Sequence, residues 1–395
     1  MAVAEHTVVV SPQFHEFHPD LMAKIALGLD KWAGVKTDEF MDGSPYAKIG
    51  QEIRGTAVVP AWLTKPVAES AMRIMEIGNA LTHTEEGYEA RTQELVYLLP
   101  FVEGRSDKIA KVSKEVSPDE SDRWPLLTTL DGSRRLVAGE TIYAEIFADM
   151  ITRVGKASKL LLFDPHSALV HRYFRQRLEH EYSDGKSRVL TLTAVPLFAH
   201  WIREHDLVDE KTVVLSPDIG ALSRAGYLAT LLGVPLVICD KWRPKHNSAQ
   251  VSLRYGDVRG MRVLGIDDVI DTAGTITEGA EVIKNQEGAN ELYVFSTSAK
   301  FSGPAISRLD NALRRGLINQ VVVTDNLPTA NKGRILGKMG FEIIPTAELL
   351  LRGIKTLLDP EATVDTYGIG PYAFMDETSL EAYVRLQEQF GLPPL

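Results

Sequence analysis

The stretch VLGIDDVIDTAGTI, residues 263–276, decides how this chain is read. A short apolar run leads into two adjacent carboxylates, Asp267 and Asp268, and a third, Asp271, opens a loop of small and hydroxyl-bearing residues. The apolar run reads as a buried strand. After it, Asp271, Thr272, Ala273, Gly274 and Thr275 can turn into a helix whose first backbone N–H groups have no intrahelical acceptor and face an anion. Small side chains let the backbone approach a phosphate closely, and the threonine hydroxyls add donors. Asp267 and Asp268 stand where carboxylates accept hydrogen bonds from sugar hydroxyls or reach a metal ion. A sugar phosphate satisfies both halves at once, whereas a plain strand, turn and capped helix has no need of two adjacent acids.

Outward from this stretch the same alternation repeats. TAVVPAWL (56–63), LVYLLPF (95–101), KLLLFD (159–164), KTVVLSPD (211–218), VPLVICD (234–240), ELYVFST (291–297) and QVVVTDN (320–326) read as further buried strands. Between them, GETIYAEIFADMITRVG (139–155) and ALSRAGYLATLLG (221–233) have helical spacing and end in Gly. Alternating strand and helix predict an α/β chain of doubly wound parallel sheets, enough for two domains at this length. Strands end in Asp164, Asp218, Asp240, Asp267 and Asp325. Ligands of open α/β sheets bind outside the carboxyl ends of the strands, although Asp in that place also caps helices. Residues 108–138 break the pattern, being polar, charged and without a sustained period, and read as a long insertion or loop. In the tail, Thr378 with Glu381 forms a capping box before a short helix closed by Gly391 and Pro393.

Bulk properties exclude several function classes. The 395 residues are 44% apolar and 24% charged, values of a globular protein. A net charge of −10 without a compensating basic block argues against nucleic acid as a partner. Cys239 is the single cysteine, so no intramolecular disulfide forms; in its apolar run it reads as a small core residue. No apolar run approaches the ~20 residues needed to span a bilayer. MAVAEHTVVVSPQFHEF has no basic region followed by a long apolar core, so no signal peptide is read and a cytoplasmic protein is expected, with no membrane partner.

The 267–275 segment resembles the phosphoribosyl pyrophosphate (PRPP) binding motif shared by type I phosphoribosyltransferases and PRPP synthetases. Other segments resemble the synthetases. FMDGSPYAKIGQEIRG (40–55) resembles their segment running from Phe-x-Asp-Gly to Arg-Gly, and LLPFVEGRSDK (98–108) the one in which Arg is followed two residues later by Asp. LLLFDPHSALVHRYF (160–174) resembles the strand carrying Asp-x-His. VVLSPDIGALSRA (213–225) resembles the Ser-Pro-Asp-x-Gly strand end, and ICDKWRPKHNSAQV (238–251) the Asp-Lys-x-Arg flexible catalytic loop. FSGPA (301–305) and VVVTDNLP (321–328) fit the last segments, so the resemblance runs from about residue 7 to 357 outside the insertion.

The resemblance implies two type I phosphoribosyltransferase-like domains, 1–185 (with the insertion at about 108–138) and 186–357, followed by an extension over 358–395. It implies transfer of the diphosphoryl group of ATP to the anomeric hydroxyl of ribose 5-phosphate, with Mg2+ as cofactor. Lys241, Arg243 and His166 match catalytic positions, and His166 and Asp218 match metal positions. Phe40, Asp42, Arg105 and Asp107 match ATP-binding positions. Asp271, Thr272, Ala273, Gly274 and Thr275 would hold the 5-phosphate, with Asp267 and Asp268 on the ribose hydroxyls. Phe40 and Asp42 in the family reach a neighbouring subunit's nucleotide, which implies a dimer-based homo-oligomer such as a hexamer. The chain departs from the family at Ser44, Ser106 and Ser298, where Glu, Gln and His are usual, and in the insertion and the extension. Two alternatives stay open at this level: the same transfer to a larger acceptor such as ADP-ribose, and a catalytically silent regulatory subunit.

Overall fold

The computed structural model of the chain describes residues 6–10, 18–29, 32–39, 45–49, 55–63, 67–82, 92–102, 126–128, 134–136, 143–166, 168–182, 188–245, 248–328, 337 and 339–359. The first seven-stranded sheet is built from β1 (His6–Val10), β2 (Trp32–Glu39), β3 (Pro45–Ile49), β4 (Gly55–Leu63) and β5 (Thr92–Val102). After a two-stranded hairpin, β6 (Leu126–Thr128) with β7 (Arg134–Leu136), the chain adds β8 (Lys159–Phe163) and β9 (Val189–Leu192). The second sheet runs through β10 (Thr212–Ser216), β11 (Leu236–Lys245), β12 (Ser248–Tyr255), β13 (Arg262–Ile270), β14 (Glu291–Ala299), β15 (Gln320–Thr324) and β16 (Phe341–Ile344).

The two sheets share one plan. Their strand orders are β3-β2-β1-β4-β5-β8-β9 and β12-β11-β10-β13-β14-β15-β16. In each, one edge strand is antiparallel, β3 against β2 and β12 against β11, and the other pairs are parallel. The order reverses between β10 and β13, so the loops leaving those two strands flank the topological switch point where ligands of such sheets bind.

Helices cover the sheets. The segments used below are α1 (Pro19–Gly28), α2 (Val67–Thr82), α3 (Tyr143–Asp149), α4 (Ala168–Glu181), α5 (Val195–Glu204), α6 (Leu222–Leu232), α7 (Gly274–Glu281), α8 (Ala305–Arg314) and α9 (Ala347–Leu358). α6 stops where Gly233 takes a left-handed φ of 70°, returning its N–H to Ala229 and Thr230. β13 feeds both cores of its sheet: Leu264 and Ile266 face the core shared with the first unit, and Val263 and Ile270 the core under α7 and α8.

Three features differ from the sequence reading. β9 lies past residue 185 yet completes the first sheet, and α9 packs on that same unit rather than on the second. There Gly353 is a close-approach position, since an added Cβ would meet Leu161 Cδ1 at 2.5 Å and Leu192 Cδ1 at 2.7 Å. The domain division expected at residue 185 therefore moves past β9, with the end of the second half reaching back. Within the segment read as a loop, Leu126 pairs with Leu136 and Thr128 with Arg134, so a β-ladder forms there. The 358–395 extension, apart from its first two residues, lies outside the described residues.

Candidate active site

The site gathers at the carboxyl ends of β8, β10, β13 and β14. β13 delivers Asp267 and Asp268 at its end, and the chain then turns through Asp271–Ala273 into α7. Ala273 precedes the helix with φ 59° and ψ 8°, a left-handed conformation that L residues avoid. Helix starts of this kind, with N–H groups that have no intrahelical acceptor, are where anions are commonly cradled. Arg308 on α8 donates from Nη1 to the Thr272 carbonyl at 3.0 Å, and the same nitrogen would stand 3.3 Å from a Cβ on Gly274. Lys300 Nζ lies 3.8 Å from Asp271 Oδ1, a buried oxygen with no hydrogen-bond partner among the described residues. Lys300 and Arg308 went unnoticed in the sequence, where a single cation on a polar stretch looks like any solvated one.

The acid pair is not symmetric. Asp268 Oδ2 lies 2.6 Å from His166 Nδ1, a contact from the end of the second sheet to the segment after β8 of the first. Facing a carboxylate, Nδ1 is the donor, which fixes the ring with its other nitrogen, Nε2, turned away from Asp268. Burial works against the charge on Asp268, but the hydrogen bond from His166 and the charge of Arg224 outweigh it and hold this carboxyl well below the usual range. Asp267 instead lines a small apolar cavity of about 70 Å³ beneath α7, with Leu215, Cys239, Gly265 and Ile276 among its walls. Its Oδ1 accepts the Asp268 backbone N–H at 2.9 Å. Burial and then the neighbouring charge of Asp268 push the Asp267 carboxyl up to about 7. Cys239 is buried at 1% exposure, as its apolar run suggested.

The remaining expected residues fall into three groups. Asp218, after β10, accepts the Ala221 N–H at 3.1 Å through Oδ1 and so caps the turn that leads into α6. Lys241 and Arg243 do not lie on an open loop: their backbone continues β11, with Lys241 opposite Val251 of β12 and an irregularity between Trp242 and Lys245. The physical reason is alternation in the partner strand, whose Val251, Leu253 and Tyr255 recur every second residue. Phe40, Asp42, Arg105 and Asp107, with Ser44 and Ser106, lie outside the described residues.

Two further strand-end acids are taken up by partners within the protein. Asp164, with a fully buried side chain, takes Arg224 Nη2 at 2.8 Å and Nε at 3.1 Å on Oδ1. Asp325 Oδ1 takes the N–H and hydroxyl of Thr346, both at 2.7 Å. Ser298 donates no imidazole to the site; its hydroxyl receives Asn326 Nδ2 at 2.8 Å, and the same amide nitrogen reaches Pro100 O at 3.0 Å across the two units.

Among the described residues no three His, Cys, Asp or Glu side chains converge to hold a metal ion. The donor chemistry still suits a hard divalent cation. A ring held by a carboxylate at Nδ1 presents Nε2, Asp218 brings oxygens, and such cations commonly take their remaining ligands from water and substrate phosphates. Among the described residues no helix is long and apolar enough to cross a membrane.

The chain is similar to known proteins over most of its length. The phosphoribosyl transferase domain family matches residues 191–296. The ribose-phosphate pyrophosphokinase of Caldanaerobacter subterraneus subsp. tengcongensis is 32% identical over 322 residues, covering 80% of this chain and 86% of that protein. Ribose-phosphate pyrophosphokinase 1, chloroplastic, of Arabidopsis thaliana is 34% identical over 319 residues, with 80% of this chain and 67% of that protein covered. The crystal structure of phosphoribosylpyrophosphate synthetase from Mycobacterium smegmatis superposes with a TM-score of 0.68 at 24% identity, over 90% of this chain and 99% of that one, and so shares its fold.

Proposed function

The chain belongs to the ribose-phosphate pyrophosphokinase family, and from that premise we propose how its own residues divide the reaction. It transfers the diphosphoryl group of ATP to ribose 5-phosphate, giving PRPP and AMP. The anomeric oxygen attacks the β-phosphorus in line, the bond from that phosphorus to the α-phosphate oxygen breaks, and AMP leaves. Such a transfer asks the protein mainly to align two polyanions and to neutralise the moving group.

The observation that carries this reading is the meeting at one strand end of an anion-cradling turn, an acid pair and a histidine from the other unit, with His166 2.6 Å from Asp268. In it, Asp271, Thr272, Ala273, Gly274 and Thr275 hold the 5-phosphate, supported by the positive field of Lys300 and Arg308. Asp267 and Asp268 take the ribose hydroxyls. Lys241 and Arg243 neutralise the diphosphoryl group as it moves, and Phe40, Asp42, Arg105 and Asp107 bind ATP. His166 and Asp218 would hold Mg2+, which would supply positive charge to screen the phosphate oxygens. The working form is a dimer-based homo-oligomer in the cytoplasm. The relatives' names give no support to an ADP-ribose acceptor or to a silent regulatory role.

The test is direct. Purified protein with ATP, Mg2+ and ribose 5-phosphate should release AMP and PRPP in equal amounts, followed by ion-exchange chromatography. Release of AMP only with ADP-ribose, or no AMP with any ribose phosphate, would overturn the reading.

A further inference from the structure

We propose that Asp164 and Arg224 are positioning residues that hold His166 against Asp268 across the junction of the two units. The proposal rests on the reading of His166 given above and extends it to two side chains which that reading leaves without a task.

Asp164 is the last residue before the turn that carries Pro165 and His166, and its φ of 44° is left-handed. An L residue avoids that region unless its surroundings impose it. Here they do. The fully buried carboxylate takes two nitrogens of Arg224 on Oδ1 and, on Oδ2, the Thr193 hydroxyl at 3.3 Å, the Ala194 N–H at 3.4 Å and the Thr297 hydroxyl. These donors come from the segment after β9, from α6 and from the end of β14, so both units grip one side chain. Arg224 is equally enclosed, with a side-chain exposure of 6%, and sits in the first turn of the helix that follows the Asp218 cap. One buried ion pair therefore ties the turn of His166 to the helix that Asp218 opens, and the charge of Arg224 also bears on Asp268. A buried pair serving stability alone would not need its acid strained two residues before the histidine that bridges to Asp268 from the other unit.

A double-mutant cycle and the ring of His166 test this. Arg224→Met should lower kcat about 10- to 100-fold, the usual effect of losing an outer orienting partner, with KM for ribose 5-phosphate changed by less than about 3-fold. Arg224→Lys should recover part of that loss. If Arg224 acts through His166, Arg224→Met with His166→Ala together should be no slower than His166→Ala alone. Losses that multiply would overturn the proposal. Independently of turnover, ¹⁵N-histidine spectra of the full chain, assigned by the signal missing in His166→Ala, should show a fixed Nδ1–H tautomer that averages in Arg224→Met. An unchanged ring signal in that variant would also overturn it. If Arg224→Met does not fold, Arg224→Lys and Thr297→Val carry the same two measurements. Should the unaltered protein release no AMP, the proposed reaction fails, while the ring spectra still decide whether the clamp exists.

Discussion

Asp267→Asn should stabilise the substrate-free protein, and by more as the pH rises. The unaltered Asp267 carboxyl is pushed from an ordinary 3.8 up to about 7 by burial and by the charge of Asp268. The sign follows from proton binding. Between those two values the folded chain keeps a proton that the unfolded chain has released, so stability falls as pH rises through the window and the whole penalty is present above it. The distance between those two values sets a ceiling of ~4 kcal/mol on the penalty. Asp267 keeps partial access to water, so screening reduces this, and ~1–2 kcal/mol is the working figure. Asparagine removes the charge yet its Oδ1 can still accept the Asp268 N–H, so the turn is kept. Urea denaturation of both proteins in EDTA, from pH 5 to pH 8.5, is the assay. The stability difference should be small at pH 5, grow toward pH 7 and then level off. A flat difference, or one that shrinks with pH, would refute the account of the pair. Ribose 5-phosphate should reverse the order, because the variant gives up an acceptor for a sugar hydroxyl and gains little from the ligand.

Four further outcomes follow from named contacts. Lys241→Ala should lower kcat by about 10²–10³, the scale of losing a transition-state donor, while KM for ribose 5-phosphate moves only a few-fold; equal losses in both steady-state constants would contradict a transition-state role. Asp271→Ala should instead raise the dissociation constant for ribose 5-phosphate about tenfold or more by calorimetry, since it removes the acid that opens the phosphate turn and pairs with Lys300. Gly265→Ala should stabilise the fold by ~0.5–1 kcal/mol, read as a higher melting temperature, because the strand loses glycine's freedom and the new methyl meets only ordinary contacts of 3.7 Å and beyond at the cavity wall. Gly353→Val should cost ~1–3 kcal/mol in denaturant melts by driving side-chain atoms into Leu161 and Leu192, which reports the docking of α9 on the first sheet.

The sequence made the elements legible and left many of their partners hidden. Apolar runs such as 159–163 and 212–216 announce buried strands because alternation and burial are local properties. The turn at 271–275 is equally local, since its small residues and hydroxyls mark a turn into a helix without reference to the rest of the chain. Asp164 and Asp268 show the limit. Both stand at or near strand ends, yet one is clamped by Arg224 and Thr297 and the other bridges to His166, partners 60, 133 and 102 residues away. No window on the sequence separates those fates. Lys241-Trp242-Arg243-Pro244 misleads for a different reason: charge and proline suggest an open loop, and the strand emerges only when its partner's alternation is counted. Arg224 could have been suspected, for it interrupts an otherwise small and apolar helical face of Ala225, Leu228 and Ala229, all buried.

The shared strand plan puts the two halves to different uses. β4 occupies in the first sheet the place that β13 holds in the second, and both are nine residues long. Where β13 carries Asp267 and Asp268 toward its end, β4 carries Pro60, Ala61 and Trp62, and Trp62 is wholly buried. Its indole Nε1 donates to the Asn326 carbonyl at 2.7 Å, and its ring stacks on His18 at a centroid distance of 5.8 Å. His18 in turn reaches the Asp325 carbonyl of the second unit. The place that delivers the acid pair in one half is therefore a docking face in the other. An acid pair at Pro60 and Ala61 would set charge against that apolar face and undo the contact. The half whose strand end docks in this way contributes His166 to the site from the turn after β8.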